Sequence, residues 1–212
     1  MSDFSRRSGM LLVAAIALVV CVVAGLLGGP GTMLDVDLIR ALAEQRAAHP
    51  AMTSIVIPLT NVGGARGMIA ILLAGLVIMA FHRRWKDAAM LAGTVLGGRL
   101  VIELLKLLVD RPRPAFGPYP VAVSSMSFPS GHAGNSMITF LAIALIVVPA
   151  RYRAGACVAA VLFSAIIGAT RPYLSVHWPS DVVAGWAFGI AWVVSLATAY
   201  DYWRASRANR VA

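Results

Sequence analysis

The feature that most constrains this chain is a series of apolar segments that lack charged residues. The first, Met10–Leu27, is long enough to cross most of a bilayer, since a spanning helix needs about 20 mostly apolar residues. Hydrophobic residues make up 59% of the chain and charged residues 13%, against about 45–50% and 25% in soluble domains. Cys21 and Cys157 lie inside apolar runs and are interpreted as core side chains. The composition predicts an integral membrane protein and excludes a soluble enzyme, a disordered tail and a disulfide scaffold.

The apolar segments predict an all-α protein with one domain over residues 1–212 and six transmembrane helices. The expected spans are about residues 10–27, 67–81, 88–109, 132–148, 154–169 and 182–200. The second span could begin as early as Thr60. Leucines 34, 38 and 42 recur at four-residue spacing, which predicts a short amphipathic helix over residues 34–49 on the membrane surface, ended by Pro50.

The excess of positive charge is interpreted as a sign of membrane orientation. The formal net charge is +9, which in a soluble protein would suggest nucleic acid binding. With a cytoplasmic N-terminus, alternation places both termini and the short basic segments in the cytoplasm, as the positive-inside rule expects. These basic residues are Arg6, Arg7, Arg83, Arg84, Lys86, Arg151, Arg153, Arg204, Arg207 and Arg210. Segments 28–64, 109–131 and 170–181 then lie on the opposite face, and no nucleic acid partner is expected.

Three motifs fall on that opposite face. They are K-x6-R-P over Lys106–Pro114, P-S-G-H over Pro129–His132, and T-R-x5-H-x3-D over Thr170–Asp181. Their order and spacing resemble the type 2 phosphatidic acid phosphatase superfamily, whose third motif begins with Ser. Thr170 departs from that pattern but retains a hydroxyl group. The resemblance implies a membrane lipid phosphate phosphatase that needs no metal or other cofactor.

The residue types suit a phosphate ester on physical grounds as well. The planar guanidinium groups of Arg113 and Arg171 can each donate two hydrogen bonds to phosphate, and Lys106 supplies a compact charge. The backbone amides of Ser130 and Gly131, at the start of the fourth span, would form an anion site at a helix N-terminus.

The resemblance implies roles for three further residues. His177 attacks phosphorus and forms a phosphohistidine, and His132 protonates the leaving oxygen and then activates water. Asp181 lies four residues after His177 and would share its face if this stretch is helical. Asp181 is therefore expected to hold one ring nitrogen of His177.

Four residues are expected to support the site. Arg111 precedes Arg113 by two residues and supplies additional charge, while Thr170 replaces the Ser of the third motif. Arg99 and Glu103 are four residues apart on the third span, where ionisable residues usually pair. We expect Glu103 to pair with Arg99 and to fix the third helix beneath the phosphate site.

The substrate is expected to be a lipid that reaches the site sideways from the bilayer. The preference for Arg over Lys and the small size suggest a bacterium with a GC-rich genome. By analogy with small bacterial members of the family that the chain resembles, the leading expected substrate is undecaprenyl diphosphate on the periplasmic face of the inner membrane. Phosphatidylglycerophosphate, phosphatidate and lipid A phosphate remain open. So does a lipid-to-lipid phosphotransferase. A transporter or channel is disfavoured because the sequence shows no inverted repeat. The sequence does not determine the oligomeric state.

Overall fold

A computed structural model describes residues 3–208, and within that range the chain forms eight α-helices and no β-strand. The helices are α1 (Asp3–Leu27), α2 (Met33–Ala48), α3 (Pro50–Val62), α4 (Ala65–Phe81), α5 (Trp85–Val109), α6 (Gly131–Ala142), α7 (Arg153–Tyr173) and α8 (Pro179–Ala208). A π-helical turn, Ile143–Val147, continues α6, and a 3-10 turn, Ala150–Tyr152, precedes α7. The all-α class is confirmed. The Arg6 side chain and all of Arg210 lie outside the described part.

Four helices are long and apolar enough to cross a membrane: α1, α5, α7 with its preceding turn, and α8. Helices α3 and α4 pass the same test only as a pair, and a bend of 46° separates them. The remaining apolar helix, Gly131–Val147, is shorter and spans about 25 Å at 1.5 Å per residue. The described residues therefore supply four to five candidate spans, and the expectation of six is not confirmed.

Helix α2 (Met33–Ala48) occupies the segment that the sequence predicts to be an amphipathic surface helix. Its buried residues are Asp35 and Ile39, whereas Leu34 is 76% exposed and Leu38 is 44% exposed. Leu34 and Leu38 therefore point away from the helix bundle, while Leu42 is half-buried. Pro50 also begins α3 rather than only ending α2, because the first position of a helix needs no N–H donor.

Helix α6 lies at the centre of the molecule, and most of its side chains are buried. It packs against α5, α7 and α8, while α1 lies along α8. Gly185 allows α8 to approach the start of α6, since an added Cβ would lie 2.7 Å from the carbonyl oxygen of Ser130. Large hydrophobic side chains on the outer faces of α1, α4, α5 and α7 are exposed, as lipid-facing surfaces require.

Candidate functional site

The three motifs meet at a cavity of about 220 Å³. It lies between the α3–α4 junction, α5, the α5–α6 connection, the start of α6 and the α7–α8 loop. The sequence-predicted residues that line it are Arg99, Glu103, Lys106, Arg113, Gly131, His132, Arg171 and His177. The other predicted residues, Arg111, Ser130, Thr170 and Asp181, are buried behind its wall. Among residues 3–208, no group of His, Cys, Asp or Glu side chains is placed to hold a metal ion.

Lys106 brings a buried ammonium group to the cavity from the last turn of α5. Its Nζ donates a hydrogen bond of 2.9 Å to Ser125 Oγ and lies 3.9 Å from Glu103 Oε1. Glu103 therefore pairs with Lys106, and the expected pair with Arg99 is not formed among the described residues. Arg99 and Lys106 both lie within reach of Glu103 along one face of α5. The tertiary structure around α5 therefore determines which of the two pairs with Glu103.

Arg113 enters the cavity from the segment that follows α5. The helix ends because Asp110 adopts a left-handed conformation with φ 49°. Arg113 Nε donates to the Ser125 carbonyl oxygen at 2.8 Å, and Nη1 lies 3.1 Å from His177 Nε2. Since a guanidinium group can only donate, His177 Nε2 carries the lone pair in this arrangement.

Arg171 is held from behind by a residue that the sequence analysis missed. Its Nη1 donates a hydrogen bond of 2.8 Å to Thr60 Oγ1 on α3. The hydroxyl group of Thr170 lies 2.8 Å from the same Thr60 oxygen. Thr170 and Arg171 therefore share Thr60 as a hydrogen-bond partner, and the Thr170 side chain is buried behind the cavity.

The start of α6 forms one wall of the cavity, as the sequence predicts. Ser130 is the N-cap, and Gly131 is the first helical residue. A Cβ built on Gly131 would lie 3.4 Å from Lys106 Nζ, so the ammonium group lies beside the start of the helix. Ser130 Oγ, Asn135 Oδ1 and Arg171 Nε are buried without a hydrogen-bond partner among the described residues. Two of these three atoms can donate to an anion.

His132 lies in the first turn of α6, and the α3–α4 junction packs against its ring. A Cβ added to Gly63 would lie 3.4 Å from His132 Cδ2. The bend between α3 and α4 therefore occurs beside the cavity and forms part of its wall.

His177 lies in the loop before α8. The shared helical face with Asp181, expected if this stretch were helical, is therefore not formed. Helix α8 begins at Pro179, and His177 Nδ1 lies 3.6 Å from Asp181 Oδ2. Ser127, which the sequence analysis missed, stands between the two. Ser127 Oγ donates to Asp181 Oδ2 at 2.5 Å and lies 3.4 Å from His177 Nδ1. With Nδ1 protonated, His177 can donate to Ser127, which donates to Asp181.

The surroundings of His177 favour a neutral imidazole. Burial, followed by the positive charges of Arg113, Arg171 and Lys106, lowers the pKa of His177 well below its ordinary value. A neutral ring retains the lone pair that a nucleophile needs.

The Asp181 carboxylate is fixed by two further contacts. Its Oδ1 accepts a hydrogen bond of 2.8 Å from Arg111 Nη1, and Oδ2 accepts one of 3.0 Å from the Trp178 backbone N–H. The second contact closes the first turn of α8 in the manner of a capping box. Arg111 also donates to the Gly25 carbonyl oxygen at 2.5 Å and lies 4.5 Å from the Phe128 ring centroid. It points away from the cavity and holds Asp181 in place.

Helix α2 is bonded to both ends of the loop that carries His177. Near its start, the buried Asp35 accepts a hydrogen bond of 3.0 Å from the Ser180 backbone N–H. Near its end, Arg46 Nη1 donates at 2.7 Å to both the Tyr173 carbonyl oxygen and Ser175 Oγ. No local sequence signal indicated these contacts, because their partners are more than 100 residues away in the chain.

Comparisons with known proteins agree on one family. A family model described as the PAP2 superfamily matches residues 87–205. The chain is 27% identical over 147 residues to phosphatidylglycerophosphatase B of Bacillus subtilis strain 168, covering 67% of this chain and 72% of that one. It is 37% identical over 134 residues to the lipid A 1-phosphatase of Rhizobium etli, covering 59% of this chain and 54% of the relative. The chain thus spans about half the length of that second relative.

Two solved structures share the fold. The crystal structure of a transmembrane PAP2-type phosphatidylglycerolphosphate phosphatase from Bacillus subtilis matches with a TM-score of 0.75 and 23% identity, covering 92% of this chain and 96% of that one. The crystal structure of Aquifex aeolicus LpxE matches with a TM-score of 0.59 and 22% identity, covering 78% and 96%. Together with the apolar helices, these likenesses make the chain a multi-pass membrane protein.

Proposed function

The chain belongs to the PAP2 superfamily, and from this premise we propose that it hydrolyses the terminal phosphate of a membrane lipid through a phosphohistidine. The observation that carries the proposal is the cavity where Lys106, Arg113 and Arg171 converge with His132 and His177. Each of its named relatives is a phosphatase of a lipid phosphate. Cations and a neutral imidazole in one cavity at the ends of membrane helices suit that chemistry.

The phosphate group would occupy the cavity with its oxygens toward the cationic side chains. Arg171 Nε, which lacks a partner among the described residues and belongs to a lining residue, would donate to one of those oxygens. Backbone N–H groups in the first turn of α6 would add further donors. A buried donor without an acceptor is costly, so a bound phosphate oxygen that accepts from Arg171 Nε would remove that cost.

The reaction would proceed in two displacements. His177 Nε2 forms a bond to phosphorus while the bond from phosphorus to the lipid oxygen breaks, and His132 gives that oxygen its proton. A water molecule then attacks the phosphohistidine and His132 takes its proton, so that inorganic phosphate leaves and both histidines are restored. Asp181, acting through Ser127, would hold the His177 ring in position throughout.

The substrate class is a lipid that carries a phosphate monoester or diphosphate. The names of the relatives favour phosphatidylglycerophosphate and lipid A 1-phosphate. Undecaprenyl diphosphate, the leading expectation from sequence, rests on analogy alone and enters the assay as a third candidate. Such a lipid would reach the cavity from the bilayer beside α5.

We also propose a single domain that crosses the membrane six times, with Gly131–Val147 as a short span that the other helices surround. Both termini would then be cytoplasmic and the cavity periplasmic. A reporter fused after Arg207 that is active only outside the cytoplasm would give no signal. A strong signal would refute this orientation.

The deciding experiment measures phosphate release from the three lipids by purified protein in detergent with EDTA. His177→Ala is compared with His82→Ala, which changes an exposed histidine outside the cavity. We expect activity in the wild type and in His82→Ala, with none in His177→Ala. Alkaline quenching of a reaction with radiolabelled lipid should trap label on the wild-type protein only.

Three results would contradict the proposal. Equal release by wild type and His177→Ala would refute the assigned nucleophile. Loss of activity in EDTA would refute the metal-independent route. Release that depends entirely on an added acceptor lipid would identify a phosphotransferase instead.

A further inference from the structure

A basic cleft lies at the end of the helix bundle opposite the catalytic cavity. It has a volume of about 470 Å³ and is formed by the α4–α5 turn and the last turns of α8. Its lining includes the cations Arg83, Arg84, Lys86, Arg204 and Arg207. Lys86 and Lys106 lie on the same helix, about 30 Å apart at 1.5 Å per residue. The cleft and the catalytic cavity therefore lie at opposite ends of α5.

Among the residues that line the cleft, five cations outnumber one carboxylate. The carboxylate is Asp87, and both of its oxygens already have hydrogen-bond or ion-pair partners. Arg84 Nε lies 2.7 Å from Asp87 Oδ2, and the Tyr200 hydroxyl donates to Asp87 Oδ1 at 2.8 Å. Arg204 Nη1 lies 3.4 Å from the same Oδ1.

Three cations of the cleft have no carboxylate partner among the described residues: Arg83, Lys86 and Arg207. Lys86 Nζ and Arg207 Cζ lie 5.8 and 4.7 Å from the centroid of the Trp203 ring. The Trp203 ring thus lies within cation–π range of two cations. Arg83 adopts a left-handed conformation with φ 54°, which is costly for a residue with a side chain. Like charges gathered in this way repel one another unless an anion lies between them.

The surroundings of the cleft indicate where the anion comes from. Trp85 and Trp203 line it and are 64% and 38% exposed, as is usual for aromatic residues at the level of lipid headgroups. A second cavity of about 390 Å³ shares Asp87, Tyr200 and Arg204 with the cleft and continues between mainly apolar residues, including Leu145, Ala154 and Ala197. A phosphate with an attached apolar chain fits this pair of cavities better than a free ion.

We propose that this cleft binds the headgroup phosphate of an anionic phospholipid in the leaflet opposite the catalytic cavity. The phosphate lies between Arg83, Lys86 and Arg207, and the glycerol and acyl chains extend past Tyr200 toward the apolar cavity. The site is separate from catalysis and does not depend on the proposed activity.

The test is native mass spectrometry of the purified protein with added phosphatidylglycerol or phosphatidylcholine. The cleft variant Arg83→Gln/Lys86→Gln/Arg207→Gln is compared with Arg40→Gln/Arg66→Gln/Arg151→Gln, which removes the same charge from exposed positions outside the cleft. We expect phosphatidylglycerol to bind the wild type and the control variant. Binding to the cleft variant should fall on the order of tenfold or more, since each basic residue near a membrane surface contributes to anionic lipid binding.

Further variants and a thermal unfolding measurement test whether the lipid binds at this cleft. Arg171→Gln, which changes the catalytic cavity, should retain the bound lipid, and Arg83→Lys/Arg207→Lys should retain most of it. Thermal unfolding without lipid should show that the cleft variant is folded. Bound phosphatidylglycerol should raise the unfolding temperature of the wild type, since a ligand of the native state stabilises it.

Each contrary result overturns the proposal. Equal binding of phosphatidylcholine would remove the requirement for an anion, and lipid retained by the folded cleft variant would place it elsewhere. Lipid lost in Arg171→Gln would assign it to the catalytic cavity. A thermal shift from glycerol 3-phosphate or inorganic phosphate as large as that from the lipid would identify a soluble phosphate as the ligand.

Discussion

Arg111 and Arg113 stand in consecutive Arg-Pro pairs, and the structure places them in different surroundings. Arg111 forms an ion pair of 2.8 Å with Asp181, and the two side chains are 7% and 0% exposed. Arg113 lines the cavity and bonds to backbone carbonyl oxygens and to His177. Met keeps much of the side-chain length and removes the charge. Its substitution should therefore lower mainly the stability at Arg111 and mainly the phosphatase activity at Arg113.

Arg111→Met leaves the Asp181 carboxylate buried without its cation. Removal of one partner from a buried ion pair costs about 3–5 kcal/mol. At about 2–4 °C per kcal/mol for a chain of this size, the unfolding temperature should fall by roughly 6–20 °C. Arg113→Met should unfold within a few degrees of the wild type but lose phosphatase activity by about 100-fold or more, because a donor to the transferring phosphate is lost.

The assay is thermal unfolding of the detergent-solubilised protein, followed with a thiol-reactive fluorophore. Cys21 is buried and Cys157 is partly buried, so both thiols react mainly after unfolding. Asp181→Asn in the Arg111→Met background should recover part of the loss, since the unpaired charge is removed. Equal unfolding temperatures for Arg111→Met and the wild type would refute the structural role of Arg111. So would a larger fall in the unfolding temperature of Arg113→Met than of Arg111→Met.

Three further predictions concern the His177 loop. Because burial and neighbouring cations lower the pKa of His177, the neutral nucleophile persists to lower pH, so the acid limb of kcat/KM should lie below pH 6.5, the ordinary histidine value. Arg113→Gln should move this limb upward, and a wild-type limb at or above the ordinary value would contradict the reasoning. Ser127→Ala removes the bond of 2.5 Å to Asp181 and should lower kcat/KM about tenfold. Ser127→Thr should restore it, and an unchanged Ala variant would exclude a positioning role. Asp35→Asn weakens the bond to Ser180 and should lower the unfolding temperature by several degrees, unlike Asp37→Asn at an exposed position; equal shifts would argue against α2 as a support of the loop.

Several features of the fold and the site could be predicted from the sequence because their signals are local. The start of α6 at Ser130 and Gly131 depends on residues adjacent in the chain, and the spacing within the motifs identified six residues that line one cavity. Span boundaries were less certain because Gly63 and Gly64 interrupt the apolar segment. Composition alone does not show that the helices on either side meet at 46°.

Composition and motif spacing were enough to determine a multi-pass membrane protein of the PAP2 superfamily, because both depend on residue type and order alone. Only the tertiary structure decided which side chains meet. It placed Ser127 between His177 and Asp181, Thr60 behind Arg171, and Asp35 against Ser180. These contacts join residues 50 to 145 positions apart. The physical reason is that a hydroxyl or carboxylate has many possible partners in the unfolded chain, and helix packing selects one.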